Sequence, residues 1–351
     1  MKNLLNFLIA VLLLASINVP ARAQQREIKE NFRAETIDSL LRLLKEKYAY
    51  PEMALKMEQE INAKSKRGEY DSISDGVKFA EKITADLRTV FDDKHLKLSY
   101  SVEPISVNTA KAGAPSAAEI ERARRRQTRE HFGAQRIEIL KGNVGLIQLN
   151  YFAPLDWAAD TYAAMMNFIA DTDALILDLR QNTGSFDIDS APFVSSYLFE
   201  KPVKVGEINW HETAETRQIW TSARVPGRKY LNKPVYVLTS RRTASGAEGF
   251  VSSLKNLKRA TLVGETTMGA TMPGMSHRVN EHFSVWISTG RSSSGSAANE
   301  NKGTPPDIAV APENALKAAH LQAVNQILQT TTDEDWKTQL KKIKTEIEDK
   351  N

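Results

Sequence analysis

A chain of 351 residues is long enough for two domains with separate cores. With 47 Lys and Arg against 43 Asp and Glu the formal net charge is +4, a near-neutral balance that argues against a dedicated nucleic-acid binder. The absence of cysteine excludes a disulfide framework and thiolate catalysis.

In chain order, the first segment carries a lone Lys2, an apolar run from Leu4 to Ala15, and small residues at Ala21 and Ala23. That pattern reads as a secretory signal peptide over residues 1–23, cleaved after Ala23, and implies a periplasmic or extracellular protein. Its removal takes away Lys2 and Arg22 and lowers the formal charge to +2. The apolar run falls short of the ~20 residues a membrane span needs, so no membrane span is expected.

Residues 24–100 predict a helical domain. Apolar residues recur at Ile37, Leu40, Leu41 and Leu44, then at Met57 and Ile61, then at Val77, Ile83 and Leu87. Pro51 and the pair Arg67-Gly68 punctuate the pattern, and Ser72 followed by Asp75 marks a further cap, giving three helices. Leu96, Leu98 and Tyr100 then alternate as a strand would. Residues 101–133 read as a linker. Their cluster Arg122, Arg124, Arg125, Arg126 and Arg129 is interleaved with Glu119, Glu121 and Glu130, the mark of a solvated helix face.

Residues 134–316 predict an α/β or α+β layer structure. Two strands joined by a Gly-Asn turn come first, then an amphipathic helix, then the continuous apolar strand ALILDLR, of the kind buried on both faces. The strands around His277 and Trp286 are expected to complete it. Residues 317–351 read as C-terminal helices whose charge pairs suggest an exposed terminal helix.

Within this domain the stretch Lys233 to Leu257 reads as strand, turn and helix, with Ser245 at the junction and Glu248 three residues on. S-x-x-E is a capping-box pattern. A serine there stands beside free backbone N–H groups at the positive end of a helix dipole, where an alkoxide and a nearby oxyanion are stabilised. The pattern is equally that of a plain helix cap.

Four separated segments share one arrangement: DKHL at 93–96, DLRQNTG at 178–184, TASGAE at 243–248 with GETTMG at 264–269, and NENKGTPPDI at 299–308. In this order they resemble peptidase family S41, the C-terminal processing or tail-specific proteases. The similarity is to the branch that includes interphotoreceptor retinoid-binding protein and the tricorn core, and it extends over roughly residues 36–310. The resemblance implies a ClpP/crotonase-like core behind an N-terminal helical-bundle domain, with Ser245 as nucleophile. Ala270 stands where the processing-protease branch has a lysine, so the general base is expected at His95, as in the tricorn-like branch. A neutral imidazole can take the serine proton near pH 7 and return it to a leaving amine. By the same resemblance Glu300 supports the base, and backbone N–H groups of Gly184 and Gly246 form the oxyanion hole. Lys94, Ser185 and Asn301 depart from the family pattern. His277 is the rival base. Asp178, Arg180 and Asp307 read as residues that hold strand ends together.

The expected activity is that of a secreted serine endopeptidase acting on a protein or peptide substrate through an acyl-enzyme, with no cofactor and no metal. There is no H-E-x-x-H, no phosphate-binding glycine loop, and neither the length nor the glycine pattern of a PDZ domain between residues 100 and 143. The alternative is a non-catalytic protein that uses the same fold to hold a hydrophobic ligand or act as a scaffold. Oligomeric state is not legible in the sequence.

Overall fold

The computed structural model describes residues 27–105, 116–292 and 301–349. The signal-peptide segment and Glu300 therefore lie outside the described residues.

The first three helices are α1 (Glu30–Lys47), α2 (Pro51–Lys66) and α3 (Gly76–Val90). Their apolar stripes form one core around Leu40, Leu44, Met57, Ile61, Phe79, Ile83 and Leu87, all fully buried. Pro51 opens α2, where its missing N–H costs nothing. The cap of α3 is Asp75 rather than Ser72: its carboxylate accepts from the N–H groups of Val77 and Lys78 at 2.9 and 3.0 Å. Strand β1 (Lys97–Tyr100) follows as the alternation predicts.

Helix α4 (Ala117–Arg129) replaces part of the expected linker. A complete capping box starts it, with Ser116 and Glu119 satisfying each other's backbone N–H groups. Its arginines are exposed, as a solvated helix face requires.

Next come β2 (Ala134–Leu140), β3 (Val144–Leu149), α5 (Leu155–Ile169), β4 (Ala174–Asp178) and α6 (Ser190–Ser196). A hairpin of β5 (Lys204–Trp210) and β6 (Thr216–Trp220) was not anticipated from the sequence. Then follow β7 (Val235–Thr239), α7 (Gly246–Asn256) and β8 (Thr261–Gly264). The chain closes with β9 (Gly274–Arg278), β10 (Phe283–Ser288), β11 (Gly290–Ser292), β12 (Ile308–Ala309), α8 (Ala315–Thr330) and α9 (Glu334–Asp349).

The central sheet has the order β12-β8-β7-β4-β3-β2, parallel except for β2. Strands β4 and β7 are buried along their whole length, because helices cover both faces. Leu175, Leu177, Val235 and Val237 face α5, α6 and α7. Ala174, Ile176, Tyr236 and Leu238 face α8 and α9. The expected exposed terminal helix is thus corrected for α8. Its Ala315, Ala319 and Ala323 form a fully buried stripe of small side chains that lets it lie close on the sheet.

A second correction concerns β9 and β10. They leave the central sheet and pair with β1 in the order β1-β10-β9. Val285 and Ile287 complete the core of the N-terminal helices. The two domains are therefore interleaved, and the wall carrying His95 is built partly from chain that follows Ser245.

Candidate active site

Ser245 lies just beyond the carboxyl end of β7, a central strand of the parallel sheet, where open α/β sheets place their sites. Its backbone has φ 55° and ψ −126°, a conformation that costs an L-residue about 1–3 kcal/mol and persists only where its surroundings enforce it. The Ser245 N–H donates to the Ala270 carbonyl at 2.7 Å, and its own carbonyl accepts the N–H groups of Glu248 and Gly249. Its hydroxyl makes no cap bond. The capping-box expectation fails here, since a serine cap needs extended backbone at this position.

Glu248 is used differently. Fully buried, it accepts from Thr267 Oγ1 at 2.5 Å, Gly269 N–H at 2.8 Å and Ala270 N–H at 2.6 Å. Burial pushes its carboxyl up, and these hydrogen bonds oppose the rise. Glu248 thus fixes the loop whose Ala270 carbonyl holds the Ser245 backbone. The Ala270 methyl is buried where the related branch carries a lysine, so no amine reaches the serine from this position.

Asn182 ties the other side together. Its Nδ2 donates to the Leu149 carbonyl at 3.1 Å, its Oδ1 accepts the Gly184 N–H at 2.9 Å, and its carbonyl accepts the Ala244 N–H at 3.1 Å. Gly184 adopts φ +120°, and a Cβ there would sit 2.7 Å from Ser245 Cβ and 3.2 Å from Gly246 N. Only glycine fits this approach. The Gly184 N–H, however, is occupied by Asn182. Among the described residues the N–H groups of Ser185 and Gly246 donate to no other group, and Ser185 N lies 3.0 Å from the point a Gly246 Cβ would occupy. Two free amides beside the serine are the arrangement that stabilises an oxyanion. Of the two amides named from the sequence, that of Gly246 is free and that of Gly184 is engaged by Asn182.

His95 sits between α3 and β1. Its backbone N–H donates to Asp93 Oδ1 at 2.9 Å, and Asp93, fully buried, also accepts from Tyr48 Oη at 3.0 Å. The imidazole stacks on the Trp286 indole with ring centroids 6.2 Å apart and an interplanar angle of 28°. Burial pushes it below its ordinary value, the Asp93 charge opposes this, and Arg88 adds to the fall. Its Nδ1 is buried without a partner among the described residues. Lys94, the departure beside it, pairs with Asp92.

Ser245 and His95 line one cavity of about 780 Å3, together with Ser185, Gly246 and Trp286. No hydrogen bond joins the imidazole to Ser245. Tyr151, Phe186, Ile188, Val205, Ile208 and Ile219 make much of the remaining wall, and Gly206, Glu207 and Ile208 place β5 over it. His277 is not part of this wall. The alternation of β9 puts Ser276 on the cavity side, while His277 faces Lys47 and Glu212. Asp178 and Arg180 form a half-buried ion pair at 2.6 Å, and Arg180 also reaches the Pro312 carbonyl, the bracing role the sequence suggested. Asp307 likewise receives the Leu262 N–H at 2.8 Å and Lys255 Nζ at 2.9 Å. Beside Glu300, Asn301 donates its N–H to the Gly269 carbonyl at 2.8 Å. Among the described residues no cluster of His, Asp and Glu could hold a metal ion.

Residues 143–310 match the model of peptidase family S41, and residues 29–132 match the N-terminal domain of S41 peptidases described for eukaryotic interphotoreceptor retinoid-binding protein. The chain belongs to peptidase family S41. A carboxyl-terminal-processing protease from Synechocystis sp. is 31% identical over 127 residues, which is 36% of this chain and 28% of that protein. The chain therefore aligns with less than a third of the length of this curated relative. Among solved structures, a lipoprotein from Streptococcus agalactiae superposes with a TM-score of 0.55 at 19% identity, covering 84% of this chain and 97% of its own. The tricorn protease superposes with a TM-score of 0.53 at 12% identity, over 91% of this chain and 37% of its own. At these identities the structural likeness establishes the fold.

Sequence reasoning missed Asn182, the loop-holding role of Glu248, the Ser185 amide and the Trp286 stack. Asn182 had a local signal, because N-x-G commonly closes an Asx turn. The other three depend on contacts distant in sequence.

Proposed function

We propose that this chain is a serine endopeptidase in which Ser245 attacks the peptide carbonyl with His95 as general base. The observation that carries the reading is the held, positive-φ conformation of Ser245 on a cavity that His95 also lines. His95 Nε2 takes the hydroxyl proton as the Oγ–C bond forms, and the N–H groups of Ser185 and Gly246 receive the developing oxyanion. The imidazolium then gives its proton to the leaving nitrogen, and water hydrolyses the acyl-enzyme by the same route. Glu300 is assigned the support of the base by family resemblance. Movement of the imidazole toward Ser245 on substrate binding completes the relay, as catalytic hydrogen bonds commonly tighten in the bound complex. Export through the signal peptide over residues 1–23 and a periplasmic or extracellular site belong to the same reading, with protein or peptide as substrate.

A second reading is favoured by one observation. The cavity wall is rich in aliphatic and aromatic side chains, and Phe186 is 53% and Trp286 37% exposed, as a protein holding a hydrophobic ligand would have them. Casein hydrolysis separates the two. Turnover by the chain from Gln24, lost in both Ser245→Ala and His95→Ala, supports the peptidase. Equal turnover by all three, or none with binding of a fluorescent fatty acid, overturns it.

A further inference from the structure

Four Lys, Asp and Glu side chains line the cavity: Lys94, Lys97, Asp187 and Glu207. Three are already matched. Lys94 pairs with Asp92, and Glu207 receives Lys204 Nζ at 2.5 Å. Asp187 accepts the N–H groups of Leu155, Asp189 and Ser190 and the Ser190 hydroxyl. Lys97 is exposed and has no carboxylate partner among the described residues. Strand alternation sets Lys97 and Ser99 on the cavity side of β1 while Leu98 enters the core. Lys97 also pairs in register with Trp286, whose ring stacks on His95. A cation with no carboxylate partner among the described residues therefore stands on the wall that holds the imidazole.

From this placement we infer that Lys97 is a specificity-determining residue that recruits a carboxylate on the leaving-group side of the scissile bond. The inference rests on the peptidase reading, and the chemistry fixes the side. His95 protonates the leaving nitrogen, so the part of the substrate that departs as the amine lies against the His95 wall. A carboxylate there gains a charge-assisted hydrogen bond from Lys97 in a partly desolvated cleft. The carboxylate can be an Asp or Glu side chain or the terminal carboxylate of a short leaving segment. No bond is made or broken by Lys97, which acts on binding alone.

The test uses three fluorogenic peptides identical on the acyl side. Their leaving segments carry Glu, carry Gln, or end in a free carboxylate after Gln, the first two being amidated. Binding to Ser245→Ala is measured beside turnover by the chain from Gln24. We expect about tenfold tighter binding and higher kcat/KM for a carboxylate-bearing peptide than for the Gln amide. Lys97→Met should remove that preference and Lys97→Glu reverse it, both leaving the Gln amide unchanged. The Glu amide and the free acid tell side chain from terminus. Equal binding of all three peptides, or a preference that survives Lys97→Met, overturns the inference. Carboxylate-dependent binding without turnover in the active form keeps this subsite and refutes the peptidase reading instead.

Discussion

Replacing Gly184 by alanine tests the packing that holds the nucleophile. The new Cβ would lie 2.7 Å from Ser245 Cβ and 3.2 Å from both the Ala244 carbonyl oxygen and Gly246 N, inside the 3.5–4.0 Å of a comfortable carbon contact. At φ +120° the backbone itself disfavours a side chain by about 1–3 kcal/mol, and overpacking adds about 1–3 kcal/mol. The variant should therefore lose roughly 2–6 kcal/mol in urea unfolding. Because a displacement near 1 Å at a reacting centre can cost a hundredfold, its reaction with a fluorophosphonate should slow by about that factor. Gly249→Ala is the control. A Cβ there meets nothing within 4 Å, and in the helix it should stabilise by about 0.5–1 kcal/mol. A Gly184→Ala protein as stable as the wild type and labelled at the same rate would refute the steric argument.

Ser245→Gly should raise stability by about 1 kcal/mol while abolishing turnover, since glycine adopts φ 55° without cost; a loss of stability in urea unfolding would contradict the strain assigned to this residue. Glu248→Gln places an amide N–H2 against the Gly269 or Ala270 N–H, and should cost about 1–3 kcal/mol and slow fluorophosphonate labelling. Unchanged values for both would remove Glu248 from the account. For pH, burial depresses the imidazoles of His95 and His277, so the folded state binds fewer protons than the unfolded chain below their ordinary 6.5. Their contribution to stability is full above pH 6.5 and is lost as pH falls through the depressed values. Urea unfolding between pH 7 and 5 should show that decline, with a shallower slope in His277→Gln. The acid limb of kcat/KM, set by His95, should fall below pH 6.5, and a limb at or above 6.5 would contradict a buried base.

The N-terminal helices were legible because each hides one apolar stripe in a core made by its neighbours, and β4 and β7 because they are apolar throughout. The neighbourhood of Ser245 was legible as strand, turn and helix, but its conformation was not. Ser-x-x-Glu satisfies a local capping rule, and that rule is overridden when Glu248 is drawn to three donors at residues 267, 269 and 270. The exchange of β9 and β10 into the N-terminal sheet is equally non-local, since alternation tells which face a residue takes and not which strand it pairs with. Helix α8 misled for another reason: its buried stripe is alanine, which contributes little apolar contrast, whereas the charge pairs that suggested exposure lie mostly on α9. Gly184 was singled out in the sequence, but the hold that the Asn182 side chain has on its N–H was not legible there.

The central claim is that Ser245 is a nucleophile activated by His95. Treating the chain from Gln24 with a fluorophosphonate and locating the adduct by peptide mass spectrometry tests it directly. The account predicts one adduct, on Ser245, whose rate of formation falls at least a hundredfold in His95→Ala. An adduct on another residue, or labelling of His95→Ala at the wild-type rate, would contradict it.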